Sequence, residues 1–269
     1  MKLAFLGGGN MASALIGGLI AKGTPARSIS VVDVSPAARE RLGALGVRVG
    51  TAPDSAVQNA DTLVIAVKPQ DMRSALASIA GAVRGKLVVS VAAGITLDAL
   101  SRWLDGHRNI VRCMPNTPAL VGAGIAGLYA LPEVTPDGRK KAETILRAVG
   151  EVVWMPEERL LDPVTAVSAS GPAYVFWFIE QLAADAEKLG IPREASLKLA
   201  LHTVLGAAQL AAGSDKSPAE LRKQVTSKGG TTEAALKVFE EERLAERLLR
   251  AIEAASKRGE EMGRELGKD

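Results

Sequence analysis

The stretch that decides the fold covers residues 3–21 and reads LAFLGGGNMASALIGGLIA, nineteen residues without a charged side chain. By length alone, such a stretch is typical of a membrane span or of the core of an export signal. Glycines and polar residues instead divide it into a short apolar run, a turn and a second apolar run with helical spacing: Gly7, Gly8, Gly9, Asn10, Ser13, Gly17 and Gly18. We therefore interpret it as a strand, a turn and a helix.

The turn matches the dinucleotide-binding pattern G-x-G-x-x-G/A over residues 7–12, GGGNMA. Gly7 permits the tight turn, Gly9 lets the backbone approach a diphosphate, and the small Ala12 lets the helix pack on the sheet. The unpaired amides at the start of the helix attract an anion. A glycine-rich packing turn without a ligand is the alternative, but the order strand, turn, helix favours a cofactor site. We expect contacts from Leu6, Gly7, Gly8, Gly9, Asn10 and Met11.

The residues after the second predicted strand, 28–34, leave the choice of nicotinamide cofactor open. Asp33 stands where an acid commonly binds the adenosine ribose hydroxyls of NAD. Ser35, Arg39 and Arg41 follow at once, and their hydroxyl and guanidinium groups could contact the 2′-phosphate of NADP. A solvated helix face also explains at least one of the two arginines. The sequence predicts NADP(H) or NAD(H), with Ser35 and Arg39 as candidate cofactor contacts.

Two further strand ends carry small residues that we expect to bind the cofactor. In open α/β sheets the ligand crevice lies at the carboxyl ends of the strands. The strand predicted over residues 60–67 ends in Ala66, Val67, Lys68 and Pro69, and the strand over 86–91 is followed by Ala92, Ala93 and Gly94. Lys68 either contacts a phosphate or is simply exposed.

The chain divides near residue 160. Apolar strands alternate with helices up to that point, a pattern typical of a parallel sheet covered on both faces. Beyond it, the pattern predicts helices alone. The expected fold is an N-terminal Rossmann-type, doubly wound parallel sheet over residues 1–160 and a C-terminal all-helical dimerisation domain over residues 161–269. The uncharged run over residues 163–179 predicts a helix buried on most sides, which a second subunit often completes.

Composition excludes several classes of function. The net charge is +3 and aromatic residues make up 3%, without a basic block, so we expect no nucleic-acid partner. Cys113 is the single cysteine, and we interpret it as a small buried hydrophobe; the two histidines, His107 and His202, are far apart. A metal site is therefore not expected. Since residues 3–21 are interpreted as part of the fold, we expect no membrane association and a cytoplasmic location.

A second concentrated signal covers residues 225–232, VTSKGGTT, between two helical stretches. Glycines and hydroxyl residues at the start of a helix offer amides and O–H groups to an anion such as a carboxylate. An ordinary capped turn between helices is the alternative interpretation.

These residues carry a family resemblance. The segment PAELRKQVTSKGGTTEAALKVFE, residues 218–240, resembles the signature of pyrroline-5-carboxylate reductases. The segments GGGNMA, AVKP (66–69), VAAG (91–94), RCMPNTP (112–118) and SASGPAY (168–174) are similar to that family, in its order. The resemblance implies reduction of 1-pyrroline-5-carboxylate to L-proline, the last step of proline synthesis. It also implies a homo-oligomer formed through the helical domain, either a homodimer or a ring of dimers such as a homodecamer.

The resemblance also implies roles for individual residues. Thr232 is the expected catalytic residue near the ring nitrogen, and Gly229, Gly230 and Thr231 are expected near the substrate carboxylate. Glu158 matches a position that approaches the substrate, although a solvated acid is the alternative. Ser35 matches a 2′-phosphate contact. Gln224 and Pro53 depart from the family pattern, since asparagines stand there or nearby in some members.

Two other functions remain open at this stage. One is an oxidoreductase that acts on a hydroxy acid or another imine through a lysine, with Lys188, Lys198, Lys223 and Lys228 available. The other is a dinucleotide-sensing protein without catalysis. Reduction of an imine that is already protonated requires positioning rather than a strong acid, so a catalytic histidine is not needed. We interpret His202 as structural.

Overall fold

A computed structural model of the chain describes residues 1–268, and of Asp54 it describes the backbone alone. Within these residues, one sheet has eight strands: β1 (Leu3–Leu6), β2 (Ile29–Val32), β3 (Arg48–Gly50), β4 (Thr62–Ile65), β5 (Leu87–Ser90), β6 (Ile110–Pro115), β7 (Gly124–Ala130) and β8 (Gly150–Trp154). Their spatial order is β3-β2-β1-β4-β5-β6-β7-β8.

The helices of the first part of the chain are α1 (Asn10–Ala21), α2 (Pro36–Gly43), α3 (Asp54–Gln58), α4 (Met72–Ala77), α5 (Leu97–Trp103), α6 (Pro136–Leu146) and α7 (Leu161–Val164). The later helices are α8 (Gly171–Lys188), α9 (Arg193–Ala212), α10 (Pro218–Gln224), α11 (Thr231–Glu241) and α12 (Leu244–Leu266). Several begin at a side-chain cap; the Ser35 and Thr96 hydroxyls accept amide hydrogen bonds at the starts of α2 and α5. Among these helices, none is long and apolar enough to span a bilayer.

The expected Rossmann-type sheet is confirmed, with one difference in strand direction. β1 to β6 run parallel, and buried apolar side chains form a core on each face of the sheet. β7 runs antiparallel to β6, and β8 is parallel to β7. The expected parallel sheet therefore holds for β1 to β6, and the edge formed by β7 and β8 differs from it in strand direction. The short link between β6 and β7 explains it, because a parallel return needs a crossover of a dozen or more residues.

The contacts of the chain define two compact units. Unit 1 comprises Met1–Ser170 together with the stretch from Glu253 onward, and unit 2 comprises Gly171–Ile252. The end of α12 therefore belongs with the sheet, whereas its beginning belongs to unit 2. We expected the domain boundary between residues 160 and 161, whereas the grouping by contacts divides the chain after Ser170 and again after Ile252. The expected boundary stays a prediction.

Unit 2 contains only helices within the described residues, and α8 packs along α9. The run expected to be buried on most sides is not buried in the single chain: Phe176 is 66% exposed and Trp177 is 59% exposed. Burial of these rings would require a surface that the single chain does not supply.

Candidate active site

A cleft of about 770 Å³ lies at the carboxyl ends of β1, β2 and β4. It collects nine of the predicted cofactor residues: Leu6, Gly7, Gly8, Gly9, Asn10, Ser35, Ala66, Val67 and Lys68. Within the described part of the chain, the other six are not among the residues that line it: Met11, Arg39, Pro69, Ala92, Ala93 and Gly94. The sheet thus brings together residues as distant in sequence as Leu6 and Lys68.

The glycine turn has the geometry of a diphosphate cradle. Gly7 has a φ of +98°, and a Cβ atom there would lie 2.6 Å from the carbonyl oxygen of Ala66, so no other residue fits. Gly9 begins α1 without a side-chain cap, and a Cβ atom at Gly9 would meet nothing within 4 Å. The open space beside Gly9 and the free amides of α1 fit the diphosphate of a dinucleotide.

Asp33 ties the glycine turn to the end of β2. Its Oδ2 accepts a hydrogen bond from the Gly8 amide at 2.6 Å, and its Oδ1 accepts one from the Ser35 amide at 2.7 Å. The carboxylate therefore holds the glycine turn and the start of α2 together at the wall of the cleft. Each carboxylate oxygen keeps a second lone pair, so a ribose hydroxyl remains an acceptable further donor.

The two arginines after Asp33 differ in position. Arg39 Nη1 donates to the Asp33 carbonyl at 2.7 Å. Arg41 lines the cleft, and its Nη2 donates to the Gly8 carbonyl at 2.8 Å and to Ser13 Oγ at 3.1 Å. Arg41 is thus the arginine that the structure brings to the cleft, while Arg39 is engaged beside it. Lys68 is exposed and also lines the cleft.

Several polar residues that line the cleft were not predicted from the sequence: Thr51, Asp71, Ser74 and Ser78. Thr51 follows β3, a three-residue strand that we did not predict. Ser74 and Ser78 are four residues apart at α4 and its end, and this spacing is the signal that places them on one face.

Ala92, Ala93 and Gly94 lie in the loop after β5 and are not among the described residues that line the cleft. Gly94 has a φ of +73°, and a Cβ atom there would lie 3.4 Å from Leu266 Cδ1 and 3.5 Å from Met262 Cβ. The end of α12 therefore packs directly on this loop, and both belong to unit 1.

The predicted substrate residues Gly229, Gly230, Thr231 and Thr232 surround the start of α11, in unit 2. Gly229 has a φ of +71°, and its amide donates to Glu233 Oε2 at 2.7 Å. The Gly230 amide donates to the Ser227 carbonyl at 3.0 Å. The first amides of α11 have no acceptor within the helix, as an anion site requires.

Glu158 lies in unit 1 and is not a freely solvated acid. Its Oε1 accepts the Leu97 amide at 2.7 Å and pairs with Arg112 Nη1 at 2.9 Å. Arg112 also approaches Asp162 Oδ1 at 3.5 Å. Burial raises the pKa of Asp162, and the Arg112 charge opposes this shift. Cys113, next to Arg112, is buried, and burial raises the pKa of its thiol far above the usual range, which fits an inert hydrophobe.

Two family models match the chain. One, described as pyrroline-5-carboxylate reductase dimerisation, matches residues 158–262; the other, described as NADP oxidoreductase, coenzyme F420-dependent, matches residues 2–94. The pyrroline-5-carboxylate reductase of Pseudomonas aeruginosa is 44% identical over 268 residues, which covers 99% of this chain and 98% of the relative. The chain belongs to the pyrroline-5-carboxylate reductase family. The pyrroline-5-carboxylate reductase of Escherichia coli is 38% identical over 270 residues, with 98% of each chain covered.

Solved structures of this reductase family have the same fold along the whole chain. A pyrroline-5-carboxylate reductase from Coxiella burnetii superposes with a TM-score of 0.93 at 40% identity, covering 97% of this chain and 98% of that one. A pyrroline carboxylate reductase from Plasmodium falciparum, solved with NADP bound, superposes with a TM-score of 0.85 at 29% identity over 98% of each chain.

Proposed function

We propose that this chain is an NAD(P)-dependent oxidoreductase that reduces 1-pyrroline-5-carboxylate to L-proline. One observation carries the proposal: the same chain contains the glycine-turn cleft and a region that matches the dimerisation model of pyrroline-5-carboxylate reductases. A reduced nicotinamide supplies the hydride when the cofactor is bound.

The proposed cofactor contacts fall into three groups along the carboxyl edge of the sheet. The glycine turn and the start of α1 hold the diphosphate through backbone amides, and the residues after β2 and β4 bind the adenosine end. Among the described residues, the loop after β5 does not line the cleft, and its cofactor contacts are proposed from the family resemblance. The contacts are Leu6, Gly7, Gly8, Gly9, Asn10, Met11, Ser35, Arg39, Ala66, Val67, Lys68, Pro69, Ala92, Ala93 and Gly94.

NADP(H) is the proposed cofactor, with NAD(H) as the second candidate. Arg41 and Lys68 place two cationic side chains on the cleft beside Ser35, and this charge favours a 2′-phosphate. The Asp33 carboxylate in the same cleft favours the ribose hydroxyls of NAD(H). Comparing kcat/KM for NADPH and NADH decides between the two.

The proposed substrate contacts act by positioning. Gly229, Gly230 and Thr231 surround the substrate carboxylate, which the free first amides of α11 hold, and the Thr232 hydroxyl orients the ring nitrogen. Glu158 is the further substrate residue that the resemblance implies. Because the ring nitrogen can arrive already protonated, the protein does not have to supply a strong acid, and the proposed residues act by orientation.

Oligomerisation and location complete the proposal. The exposed rings of Phe176 and Trp177 support a homodimer through the helical region, since large apolar side chains of this kind are normally covered. A decameric ring of dimers and a cytoplasmic location are proposed from the family resemblance, and no nucleic-acid partner is proposed.

The test follows the absorbance of NADPH during incubation of the wild-type protein with 1-pyrroline-5-carboxylate. Thr232→Ala should lower kcat/KM by about tenfold or more while leaving NADPH binding unchanged, because a positioning hydroxyl is lost. Thr144→Ala on α6, whose hydroxyl bonds only the Lys140 carbonyl in its own helix, is the matched control. An unchanged rate in Thr232→Ala removes Thr232 from the site; an inactive wild type contradicts the proposed function.

A further inference from the structure

Gly8 stands in the middle of the glycine turn, and residues that follow β2 hold the peptide groups on both sides of it. The Gly8 amide, which belongs to the Gly7–Gly8 peptide, donates to Asp33 Oδ2 at 2.6 Å. The Gly8 carbonyl, which belongs to the Gly8–Gly9 peptide, accepts a hydrogen bond from Arg41 Nη2 at 2.8 Å. Asp33 follows β2 and Arg41 lies on α2, so this segment orients two consecutive peptides of the turn.

A second contact locates the guanidinium of Arg41. Its Nη2 also donates to Ser13 Oγ at 3.1 Å, and the Ser13 hydroxyl approaches the same Gly8 carbonyl at 3.4 Å. Ser13 lies on α1, is half-buried and is not among the described residues that line the cleft. Since one nitrogen bonds acceptors on two elements, the Arg41 side chain has a defined position although it is exposed to solvent.

The planarity of the peptide group connects Arg41 with the diphosphate site. The Gly8–Gly9 peptide is trans, and in a trans peptide the carbonyl and the amide N–H point in opposite directions. A hydrogen bond that fixes the Gly8 carbonyl therefore also fixes the direction of the Gly9 N–H. Gly9 is exposed at the start of α1, and within the described residues its amide has no acceptor. This amide is therefore available to an anion.

We infer that Arg41 is a positioning residue for the cofactor diphosphate, because it holds the Gly8–Gly9 peptide in the orientation that leaves the Gly9 amide free for the ligand. The inference rests on the proposed function, in which the glycine turn binds the diphosphate. It adds a second role to the positive charge that Arg41 offers to a 2′-phosphate. The two roles are separable, since NADPH and NADH share the diphosphate but only NADPH carries the 2′-phosphate.

Four variants of the full-length protein test the inference. Arg41→Met removes the donor and keeps an unbranched side chain, whereas Arg41→Lys keeps a cationic donor. Ser13→Ala removes the second acceptor of Arg41 and leaves its charge unchanged. The double variant Arg41→Met/Ser13→Ala completes a double-mutant cycle.

Arg84→Met is the matched control. Arg84 is exposed and is not among the described residues that line the cleft. Isothermal titration calorimetry without substrate measures the Kd for NADPH and for NADH, and thermal melting checks that each variant is folded.

Arg41→Met should weaken NADH binding by about tenfold and NADPH binding by at least as much, since NADPH also loses a charge beside its 2′-phosphate. Arg41→Lys should restore NADH binding to within about threefold of the wild type, because an ammonium group still donates to the Gly8 carbonyl. Ser13→Ala should weaken the binding of both cofactors by about threefold. The double variant should bind no more weakly than Arg41→Met, because Ser13 acts through Arg41. Arg84→Met should match the wild type.

Three outcomes overturn the inference. A loss confined to NADPH in Arg41→Met assigns Arg41 to the 2′-phosphate alone. Unchanged NADH binding in Ser13→Ala, or losses that add in the double variant, means that Ser13 does not act through Arg41. An Arg41→Lys variant as impaired toward NADH as Arg41→Met means that a donor at this position does not restore the turn.

The test remains decisive if one of its parts fails. If Arg41→Met does not fold, Ser13→Ala decides, because its NADH binding must weaken while the charge of Arg41 is unchanged. The Kd measurements need no turnover, so a wild type that does not reduce 1-pyrroline-5-carboxylate contradicts the proposed reaction and leaves this test intact. A wild type that binds neither cofactor overturns the inference together with the proposed cofactor.

Discussion

Gly8 and Gly9 are neighbours in the glycine turn, but side chains at the two positions would meet different surroundings. A Cβ atom on Gly8 would lie 2.7 Å from Leu42 Cδ1, inside the protein, whereas one on Gly9 would enter open space. Side chains of the protein fill the space beside Gly8. The room beside Gly9 is available to a ligand.

Gly9→Ala therefore tests the cleft without disturbing the fold. Gly9 has a φ of −67°, which alanine adopts freely, so the thermal stability should stay close to that of the wild type. The added methyl group would occupy the space assigned to the diphosphate, and we expect NADPH binding to weaken by about tenfold or more. Isothermal titration calorimetry with thermal melting measures both effects. Normal NADPH binding by the variant would place the diphosphate elsewhere.

Asp162 gives a prediction about pH. Burial raises its pKa in the folded protein, with Glu260 and Glu158 adding to the shift and Arg112 opposing it. Because the folded protein then binds this proton more tightly than the unfolded chain, the carboxyl favours folding below its unfolded pKa, and this contribution is lost as pH rises through the raised value. The melting temperature of Asp162→Asn, relative to that of the wild type, should therefore rise as the pH is raised from about 4 to about 7.

Glu133 provides the control of opposite sign. A hydrogen bond from Arg108 lowers the pKa of Glu133, so its contribution to stability is present above the unfolded pKa and is lost as pH falls. The melting temperature of Glu133→Gln, relative to that of the wild type, should fall over the same rise in pH. A constant difference between Asp162→Asn and the wild type would contradict the assigned shift.

At the residue scale, local sequence predicted the glycine turn but not the partners of the charged residues. The spacing of the glycines in residues 7–12 is enough to predict the turn, and most of these residues line one cleft. Asp33 and Glu158 were singled out from the sequence as candidate site residues, but their contacts with Gly8 and Leu97 span 25 and 61 positions and were not predicted. Such contacts depend on how the sheet folds, and no local pattern contains them.

At the element scale, α1 contains a matched pair of glycines. Gly17 faces open space, whereas a Cβ atom on Gly18 would lie 2.4 Å from the backbone oxygen of Ala148. Gly17→Ala should raise the free energy of unfolding by about 0.5–1 kcal/mol, the gain expected from helix propensity. Gly18→Ala should lower it by about 1–3 kcal/mol, because the contact with a rigid backbone outweighs the same gain.

Urea denaturation of the two variants measures this difference. Both substitutions add the same methyl group to the same helix, so the difference between them isolates the contact of α1 with Ala148. Equal stabilities would mean that α1 is not packed as closely as the structure has it.

Element boundaries show where sequence patterns fail. The three residues of β3 contain no apolar run, so they give no strand signal. Residues 230–266 have a helical pattern throughout, yet the structure ends α11 at Glu241 and begins α12 at Leu244, with Arg243 at a φ of +53°. A single left-handed residue between two helices leaves the apolar spacing on either side intact, and the pattern therefore does not reveal it.

At the scale of the whole molecule, the exposed apolar face of α8 leads to a prediction about assembly. Phe176 and Trp177 are more than half exposed in the single chain, and the dimerisation family match includes them. Trp177→Glu should convert the proposed dimer to a monomer, because a charge would be buried in the interface. Leu45→Glu, at an exposed apolar position of unit 1, should leave the dimer intact. Light scattering measures the mass of each variant, and a dimeric Trp177→Glu would exclude this face from the interface.

The division of α12 between the two units also affects the order in which the protein can fold during synthesis. Unit 2 is an insertion within unit 1, so a ribosome makes all of unit 2 before it makes the part of α12 that packs on Gly94. Until then, the apolar surface that receives Leu266 is open to other nascent chains. The surface around Gly94 is thus the last part of unit 1 to be covered as the chain is synthesised.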